Sequence, residues 1–188
     1  MNRNNVGLLR SISAASLRAA IPLCVLVALA GLVGSTPAIA QQRVDYRSPG
    51  NEFRIEFPGK ATERSVPLSN GGTYLLAEFG SADGTYYFAT TVPISPRQRE
   101  LPVAELLDAV RDAQVKATRG KLRDEEPATI AGAPARRLII DAPGPIVTHV
   151  LLVVTGDRLY QALCTAYARG DDPAKVRHFF DSLAVLAQ

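Results

Sequence analysis

The feature that most restricts the fold is a pair of long apolar segments near the end of the chain, Ile146–Thr155 and Arg158–Tyr167. The two residues between them, Gly156-Asp157, tolerate the positive φ angles of a tight β-turn, so the segments are predicted to form a hairpin. Both segments carry apolar residues at odd and even positions alike, which is typical of strands buried on both faces. The fold must therefore cover a central hairpin from two sides.

Other strand signals surround this hairpin. Five further segments combine alternating or β-branched and aromatic residues with turn residues at their ends: Phe53–Phe57, Thr73–Phe79, Thr85–Ile94, Leu122–Glu126 and Ala135–Asp141. The second and third of these are separated by residues 80–84 and are predicted to form another hairpin. Residues 41–51 are predicted to be a loose lead-in, and residues 60–67 fit neither a helix nor a strand clearly.

Two segments have the periodicity of helices. Residues 102–119 begin with a proline and are followed by Gly120, and their apolar residues form one stripe: Val103, Leu106, Leu107, Val110 and Ala117. The last segment opens with the capping pair Asp172-Pro173, and its apolar face consists of Val176, Phe179, Phe180 and Leu183. The sequence therefore predicts an α+β domain, a mostly antiparallel sheet of about seven strands flanked by helices as an α/β/α sandwich.

The first forty residues have the pattern of a secretory signal peptide. Residues 1–20 contain three arginines and no acidic residue, and an apolar run follows at residues 21–34. The small-residue sequence Ser35 to Ala40 comes directly after this run. This order predicts cleavage between Ala40 and Gln41. An uncleaved anchor is the alternative, but the run is shorter than the roughly 20 residues of a membrane-spanning helix. We expect a periplasmic or secreted bacterial protein with a single domain at residues 41–188 and no membrane span after cleavage.

Charge and cysteine content narrow the classes of partner. The chain has 21 Lys and Arg against 18 Asp and Glu, but three of its arginines lie in the predicted signal peptide, so the exported part is formally neutral. Domains that bind nucleic acids normally carry a basic stripe, so we do not expect a nucleic-acid partner. Cys24 also lies in the signal peptide, which leaves Cys164 without a partner for a disulfide within the chain.

Four short segments carry a resemblance to a known family: Phe53–Gly59, Asp83–Tyr87, Gly156–Tyr160 and Phe179–Leu183. With them, most of residues 50–186 resembles the PsbP-like family, compact α/β/α sandwiches named after an extrinsic protein of photosystem II. Its members are mainly binding and accessory proteins of the thylakoid lumen and of bacterial envelopes, and one relative of the same fold works with a small nuclear GTPase. The resemblance implies an accessory or binding role, and it carries no metal-binding or photosystem-contacting residue over to this sequence.

Residues that could carry catalysis are few and far apart in the sequence. There is no Gly-x-Ser-x-Gly motif or phosphate-binding loop, and the two histidines lack the spacing of metal ligands. His149 lies in an apolar strand and is predicted to be a hydrogen-bonded core residue, whereas His178 lies beside an apolar helical stripe and is predicted to be partly exposed. Cys164 is predicted to be a small buried thiol. An enzyme or metal site built on these three residues stays open as an alternative, and we predict no cofactor.

The charged runs also suggest structure more than chemistry. Asp124 to Glu126 is predicted to be a solvated strand end, Asp171-Asp172 a helix cap, and Arg136-Arg137 surface charge. None of these runs has the arrangement of a general acid and base.

The remaining candidates for function are tyrosines. Tyr74, Tyr86 and Tyr87 lie in one predicted hairpin and Tyr160 in the other, where amphipathic rings suit either sheet packing or recognition. We therefore predict a noncatalytic exported accessory or binding protein that holds an envelope protein with these rings or with the nearby hairpin loops. A carrier of a small apolar ligand, bound between sheet and helix, is the alternative.

Overall fold

The computed structural model describes residues 42–67 and 72–186. Within them lie ten strands, β1 (Val44–Arg47), β2 (Phe53–Phe57), β3 (Thr62–Pro67), β4 (Thr73–Gly80), β5 (Tyr86–Pro93), β6 (Lys121–Ile130), β7 (Ala133–Ala142), β8 (Ile146–Thr155), β9 (Arg158–Tyr167) and β10 (Ala184–Val185). The α-helices of the same residues are α1 (Pro96–Arg99), α2 (Val103–Thr118) and α3 (Pro173–Asp181). The predicted signal peptide and its cleavage point between Ala40 and Gln41 lie outside the described residues.

Seven strands form one antiparallel sheet in the order β3-β4-β5-β9-β8-β7-β6. The predicted β8–β9 hairpin is confirmed, with Thr155 opposite Arg158 and Gly156 at a φ of 58° in its turn. The hairpin is flanked by β5 and β7, so its strands are central, as their apolar residues on both faces predicted. Of the helices described, none is long and apolar enough to cross a membrane.

Different layers cover the two faces of this sheet. On one face, Leu106 and Leu107 of α2 pack against a buried cluster that includes Leu138, Val150 and Leu163. On the other face, α3 packs beside a small antiparallel sheet of β1, β2 and β10. The α+β class with a central antiparallel sheet is thus confirmed, but one outer layer is part helix and part sheet. It forms this way because β2, with its buried Phe53, Ile55 and Phe57, pairs with β1 and β10 instead of joining the large sheet.

Two predictions about the start of the domain are corrected. The lead-in at residues 41–51 contains β1, in which Tyr46 pairs with Ile55, and the ambiguous residues 60–67 contain β3, in which Arg64 pairs with Leu76. Both strands lie at sheet edges and are mostly exposed or half-buried. An edge strand that buries few side chains needs no alternation of apolar residues. The neighbouring strand supplies its backbone hydrogen bonds, so the strand forms without a strong signal in its own sequence.

The helices also differ in how well their apolar stripes were predicted. All four residues of the α3 stripe are buried, and the ring of Phe179 lies 5.2 Å from that of Phe57 and 5.1 Å from that of Tyr87, centroid to centroid. In α2 only Leu106 and Leu107 are buried, while Val103 and Ala117 are exposed. The reason is that α2 packs mainly against β7 and β8, so the ends of its stripe extend beyond the sheet surface that it covers.

Candidate functional site

The structure separates the four tyrosines predicted to form a contact surface. Tyr86 is 37% exposed and its hydroxyl donates to Glu78, whereas the adjacent Tyr87 is 1% exposed. Successive residues of a strand point to opposite faces, so β5 directs Tyr87 into the core against α3. Tyr160 is buried as well, with its ring 6.3 Å from that of Phe53 in the small sheet. Tyr74 is half-buried at the wall of a cavity, so the four rings do not form one surface.

A row of cross-strand neighbours on the α3 side brings together residues that are distant in sequence. Tyr87 lies opposite Cys164, Cys164 lies opposite His149, and His149 lies opposite Ile139. The predictions for three titratable residues are confirmed: Cys164 is 1% exposed, His149 is a buried hydrogen-bonded residue, and His178 is exposed with its Nε2 2.9 Å from Glu56 Oε2. Their proximity in the fold was not predictable from spacing.

His149 forms a buried pair with the residue that precedes the α3 cap. Its Nε2 lies 2.8 Å from Asp171 Oδ1, and the two side chains are 8% and 14% exposed. Because an ionised carboxylate only accepts hydrogen bonds, Nε2 is the donor in this pair. Asp172 caps α3 as predicted, since its Oδ1 accepts from the backbone N–H groups of Ala174 and Lys175.

This pair lies at the wall of a cavity of about 270 Å³ between α3 and strands β6 to β8, which we call the α3 groove. Its lining combines apolar and charged side chains: Arg123, Asp124, Glu126, Arg137, Ile139, His149, Asp171, Pro173, Val176, Arg177 and Phe180. The position between sheet and helix matches the one expected for an apolar ligand pocket, but three arginines and three carboxylates surround the apolar part. The groove is therefore suited to a partner that carries charge.

Some charged residues of the α3 groove form ion pairs with other described residues, and others do not. Arg123 Nε donates to Asp141 Oδ2 at 3.0 Å, and Arg137 Nη2 donates to Asp181 Oδ1 at 2.6 Å. Arg177 and Glu126 form no ion pair with any residue that the structure describes. In the same part of the chain, no group accepts from the buried Nε of Arg137. The groove thus offers charged groups of both signs to a partner.

The α3 groove lacks two common kinds of nucleophile, since none of the side chains that line it carries a hydroxyl or a thiol. Cys164 lies beside His149 in the sheet, but burial raises the pKa of its thiol to about 12, so it stays protonated and is a poor nucleophile at neutral pH. Among the described residues, no three His, Cys, Asp or Glu side chains are placed to hold a metal ion.

Arg136, Arg137 and Glu125 are less exposed and more extensively paired than their sequence context predicts. Arg136 and Arg137 are adjacent in β7, so they point to opposite faces of the sheet. Arg136 forms ion pairs on the α2 side with Asp108 and with Glu125, which is half-buried and paired inside β6 and not at a solvated strand end. Arg137 reaches the α3 groove. The alternation of side chains along a strand could have indicated that Arg136 and Arg137 point to opposite faces. Their acidic partners lie in other elements, so the local sequence gave no sign of the ion pairs.

A central antiparallel sheet of seven strands, with a small sheet and few helices around it, is the Mog1/PsbP-like fold. The solution structure of cyanobacterial PsbP (CyanoP) from Synechocystis sp. PCC 6803 is similar with a TM-score of 0.53 and 10% identity, over 82% of this chain and 99% of that one. At this identity the likeness shows the fold alone.

Two other solved structures are similar to a lesser degree. The Saccharomyces cerevisiae Ran-binding protein Mog1p has a TM-score of 0.48 and 10% identity, over 77% of this chain and 96% of that one. PA94 from Pseudomonas aeruginosa, a protein of unknown function described as a putative regulator, has a TM-score of 0.47 and 13% identity, over 78% of this chain and 99% of that one. No family model matches the sequence, and no curated protein matches it.

Proposed function

We propose that this chain is a noncatalytic accessory or binding protein of the bacterial envelope, and that it holds a partner protein in the α3 groove. The observation that carries the proposal is the lining of the groove, which joins apolar side chains to charged groups of both signs and contains no side-chain hydroxyl or thiol. The PsbP-like resemblance of the sequence supports an accessory role. The basic, apolar and small-residue pattern of residues 1–40 supports export, with cleavage between Ala40 and Gln41 and a periplasmic or secreted location.

The distribution of charge favours a protein partner over an apolar ligand. Transferring an apolar molecule into the α3 groove would desolvate charged side chains without giving them partners, which is unfavourable. A protein segment with complementary charges would instead pair with Arg177 and Glu126, which lack ion pairs among the described residues. Such pairs contribute to specificity and to the rate of association more than to affinity.

Charge reversal in the groove tests this proposal. The exported domain, immobilised, is used to capture proteins from the envelope fraction of its host, and the captured proteins are identified and quantified by mass spectrometry. We expect Arg177→Glu to reduce capture of a specific partner by about tenfold, because it replaces an attraction with a repulsion. Arg97→Glu on α1, an exposed arginine that does not line the groove, is the matched control and should capture as the wild type does.

The outcomes separate the alternatives. Equal capture by the wild type, Arg177→Glu and Arg97→Glu would show that the α3 groove is not the binding surface. Native mass spectrometry of the protein purified gently from its host gives a second reading. A mass that begins at Gln41 would support export with cleavage, and a small-molecule adduct without a protein partner would favour the carrier alternative.

A further inference from the structure

A buried dyad of His149 and Asp171 forms part of the wall of the α3 groove. His149 Nε2 donates to Asp171 Oδ1 across 2.8 Å, and Asp171 forms no ion pair with any other described residue. Histidine is the side chain that ordinarily titrates nearest to neutral pH. Protonation of His149 would convert this hydrogen bond into an ion pair, and Nε2 would remain the donor. The dyad can therefore change its charge while it keeps its geometry.

The second ring nitrogen of His149 is open to the α3 groove. Nδ1 forms no hydrogen bond with a described residue and is not among the side-chain atoms that protein atoms enclose completely. Since His149 lines the α3 groove, Nδ1 reaches solvent there. In the neutral ring, Nδ1 carries a lone pair and accepts a hydrogen bond, whereas in the protonated ring it carries a proton and donates one. A partner in the groove therefore meets a different group in each state.

The charged and titratable groups that face His149 come from β6, β7, β9 and α3 and from the residue before the α3 cap: Arg123, Asp124, Glu126, Arg137, Cys164, Arg177 and Asp171. Carboxyl and guanidinium groups ordinarily titrate outside the range between about pH 5.5 and pH 7.5, and imidazole within it. Burial raises the pKa of Cys164 to about 12 and raises that of Tyr87 beyond it, so both stay protonated. Near Cys164, Asp83 and Lys175 form an ion pair with each other at 3.4 Å. His149 is therefore the lining group whose charge changes in this range.

Protonation of His149 changes the net charge of the groove lining. With His149 neutral, the lining has no net charge, since its three arginines balance its three carboxylates. With His149 protonated, the lining carries one positive charge, and the charge of Asp171 is compensated by its neighbour. Arg177, which has no ion pair among the described residues, attracts a carboxylate in either state. An acidic segment therefore gains a second attraction in acid.

We propose that the α3 groove binds an acidic peptide segment, and that it binds this segment more tightly when His149 is protonated. Arg177 pairs with a carboxylate of the segment at any pH, and Nδ1 of the protonated His149 donates to a second acceptor. The inference rests on the proposed function, because it specifies the partner segment of the same groove and how pH regulates its binding.

A phage-displayed library of random short peptides supplies the probes for this inference. It is selected on the immobilised exported domain at about pH 5.5 and, in parallel, at about pH 7.5. We expect the selected peptides to be rich in Asp and Glu. Peptides without histidine are then synthesised with a fluorescent label, so that the charge that changes between the two pH values lies in the protein. Fluorescence anisotropy should give the wild type a Kd about fivefold lower at the acidic pH, within the usual range for coupled binding.

Two histidine variants separate the dyad from the rest of the chain. His149→Gln keeps an N–H donor for Asp171 but does not titrate, so its Kd should be the same at both pH values. His178→Gln is the matched control, because His178 is the other histidine of the chain, pairs with Glu56 and does not line the groove. It should keep the wild-type difference. Thermal melting checks that both variants are folded. A further measurement needs no variant: the NMR resonance of His149 should titrate at higher pH when the peptide is bound, because the coupling of proton and peptide is reciprocal.

The contrary outcomes distinguish this inference from the proposed function. Three results would overturn the inference alone, provided that Arg177→Glu weakens peptide binding: a Kd that is equal or higher at the acidic pH, a pH dependence that persists in His149→Gln, or selected peptides that are not enriched in acidic residues. Peptides that bind Arg177→Glu as tightly as the wild type, or a selection that yields no peptide at either pH, would overturn the proposed function as well.

Discussion

At the scale of single residues, neighbours in sequence have opposite environments in this protein. Tyr86 is exposed and hydrogen-bonded to Glu78, while Tyr87 packs in the core. Arg136 and Arg137 diverge in the same way, one to the α2 side and one to the α3 groove. The cause is the two-residue period of a strand, which assigns adjacent side chains to different layers when both faces of the sheet are covered.

The two tyrosines give a prediction about stability. Tyr87→Ala should lower the free energy of unfolding by about 3–5 kcal/mol, the usual loss for a large aromatic side chain removed from a core. Tyr86→Ala should lower it by less than about 1 kcal/mol, since an exposed ring with one surface hydrogen bond contributes little. Urea denaturation followed by circular dichroism measures both. Equal losses for the two variants would contradict the burial of Tyr87.

At the scale of elements, α3 is the piece on which the α3 groove depends. Its buried face holds Val176, Phe179 and Phe180 against the sheet, and its N-terminal end places Asp171 next to His149. The helix has only nine residues, a length that is barely stable without tertiary contacts and a cap. Asp172, which accepts from two backbone N–H groups, is therefore important for the geometry of the groove.

Substitutions of the cap residue test this role. Asp172→Ala should lower the free energy of unfolding by about 1 kcal/mol, because two N–H groups at the helix start lose their acceptor. Asp172→Asn should lose much less, because an asparagine side chain caps nearly as well as aspartate. Thermal or urea unfolding distinguishes them. If Asn were as damaging as Ala, the negative charge and not the hydrogen bond would be the stabilising feature of Asp172.

At the scale of the whole molecule, ion pairs link α2 to the large sheet and link neighbouring strands within that sheet. Arg136 of β7 links Asp108 of α2 with Glu125 of β6, and Arg123 of β6 links to Asp141 of β7. Hydrogen bonds and charge from arginines lower the pKa of Asp108 and Asp141. The Tyr86 hydroxyl and Arg64 lower the pKa of Glu78.

These shifts predict a loss of stability in acid. A carboxyl group whose pKa is lower in the folded state than in the unfolded state stabilises the fold at every pH above its unfolded pKa. The unfolded pKa is 3.8 for Asp and 4.5 for Glu. The stabilisation is lost as the pH falls through the pKa of the folded state. The melting temperature should thus change little between about pH 7 and pH 5 and fall below about pH 4.5. A melting temperature that stays constant or rises below that pH would contradict the prediction.

Salt provides the control for this experiment. At about 1 M NaCl the screening length is near 3 Å, so the exposed pairs weaken and the melting temperature should depend less on pH. The pKa of Asp83 is also lowered, and its largest cause is a hydrogen bond from the backbone N–H of Thr85. Salt does not screen that hydrogen bond as it screens an exposed ion pair, so Asp83 should keep part of its contribution to the pH dependence of stability.

The sequence by itself determined the elements whose signals are local. The Gly156-Asp157 turn, the doubly apolar strands β8 and β9, the Asp172 cap and the apolar stripe of α3 all follow from period, turn chemistry and capping, and all are present. The α+β class followed from the order of these elements. The burial of His149 and Cys164 was predictable for the same reason, since each lies in a strand with apolar neighbours on both sides.

Only the tertiary structure decided how these elements combine. Strands β1, β3 and β10 can be identified only from the strands that pair with them. Strand β2 lies outside the large sheet because it pairs with β1 and β10 in the small sheet. The contact of His149 with Asp171, the groove beside them and the exposure of Tyr86 but not Tyr87 depend on strand register and on which layer covers each face. These are contacts between distant parts of the chain, and no window of sequence contains both partners.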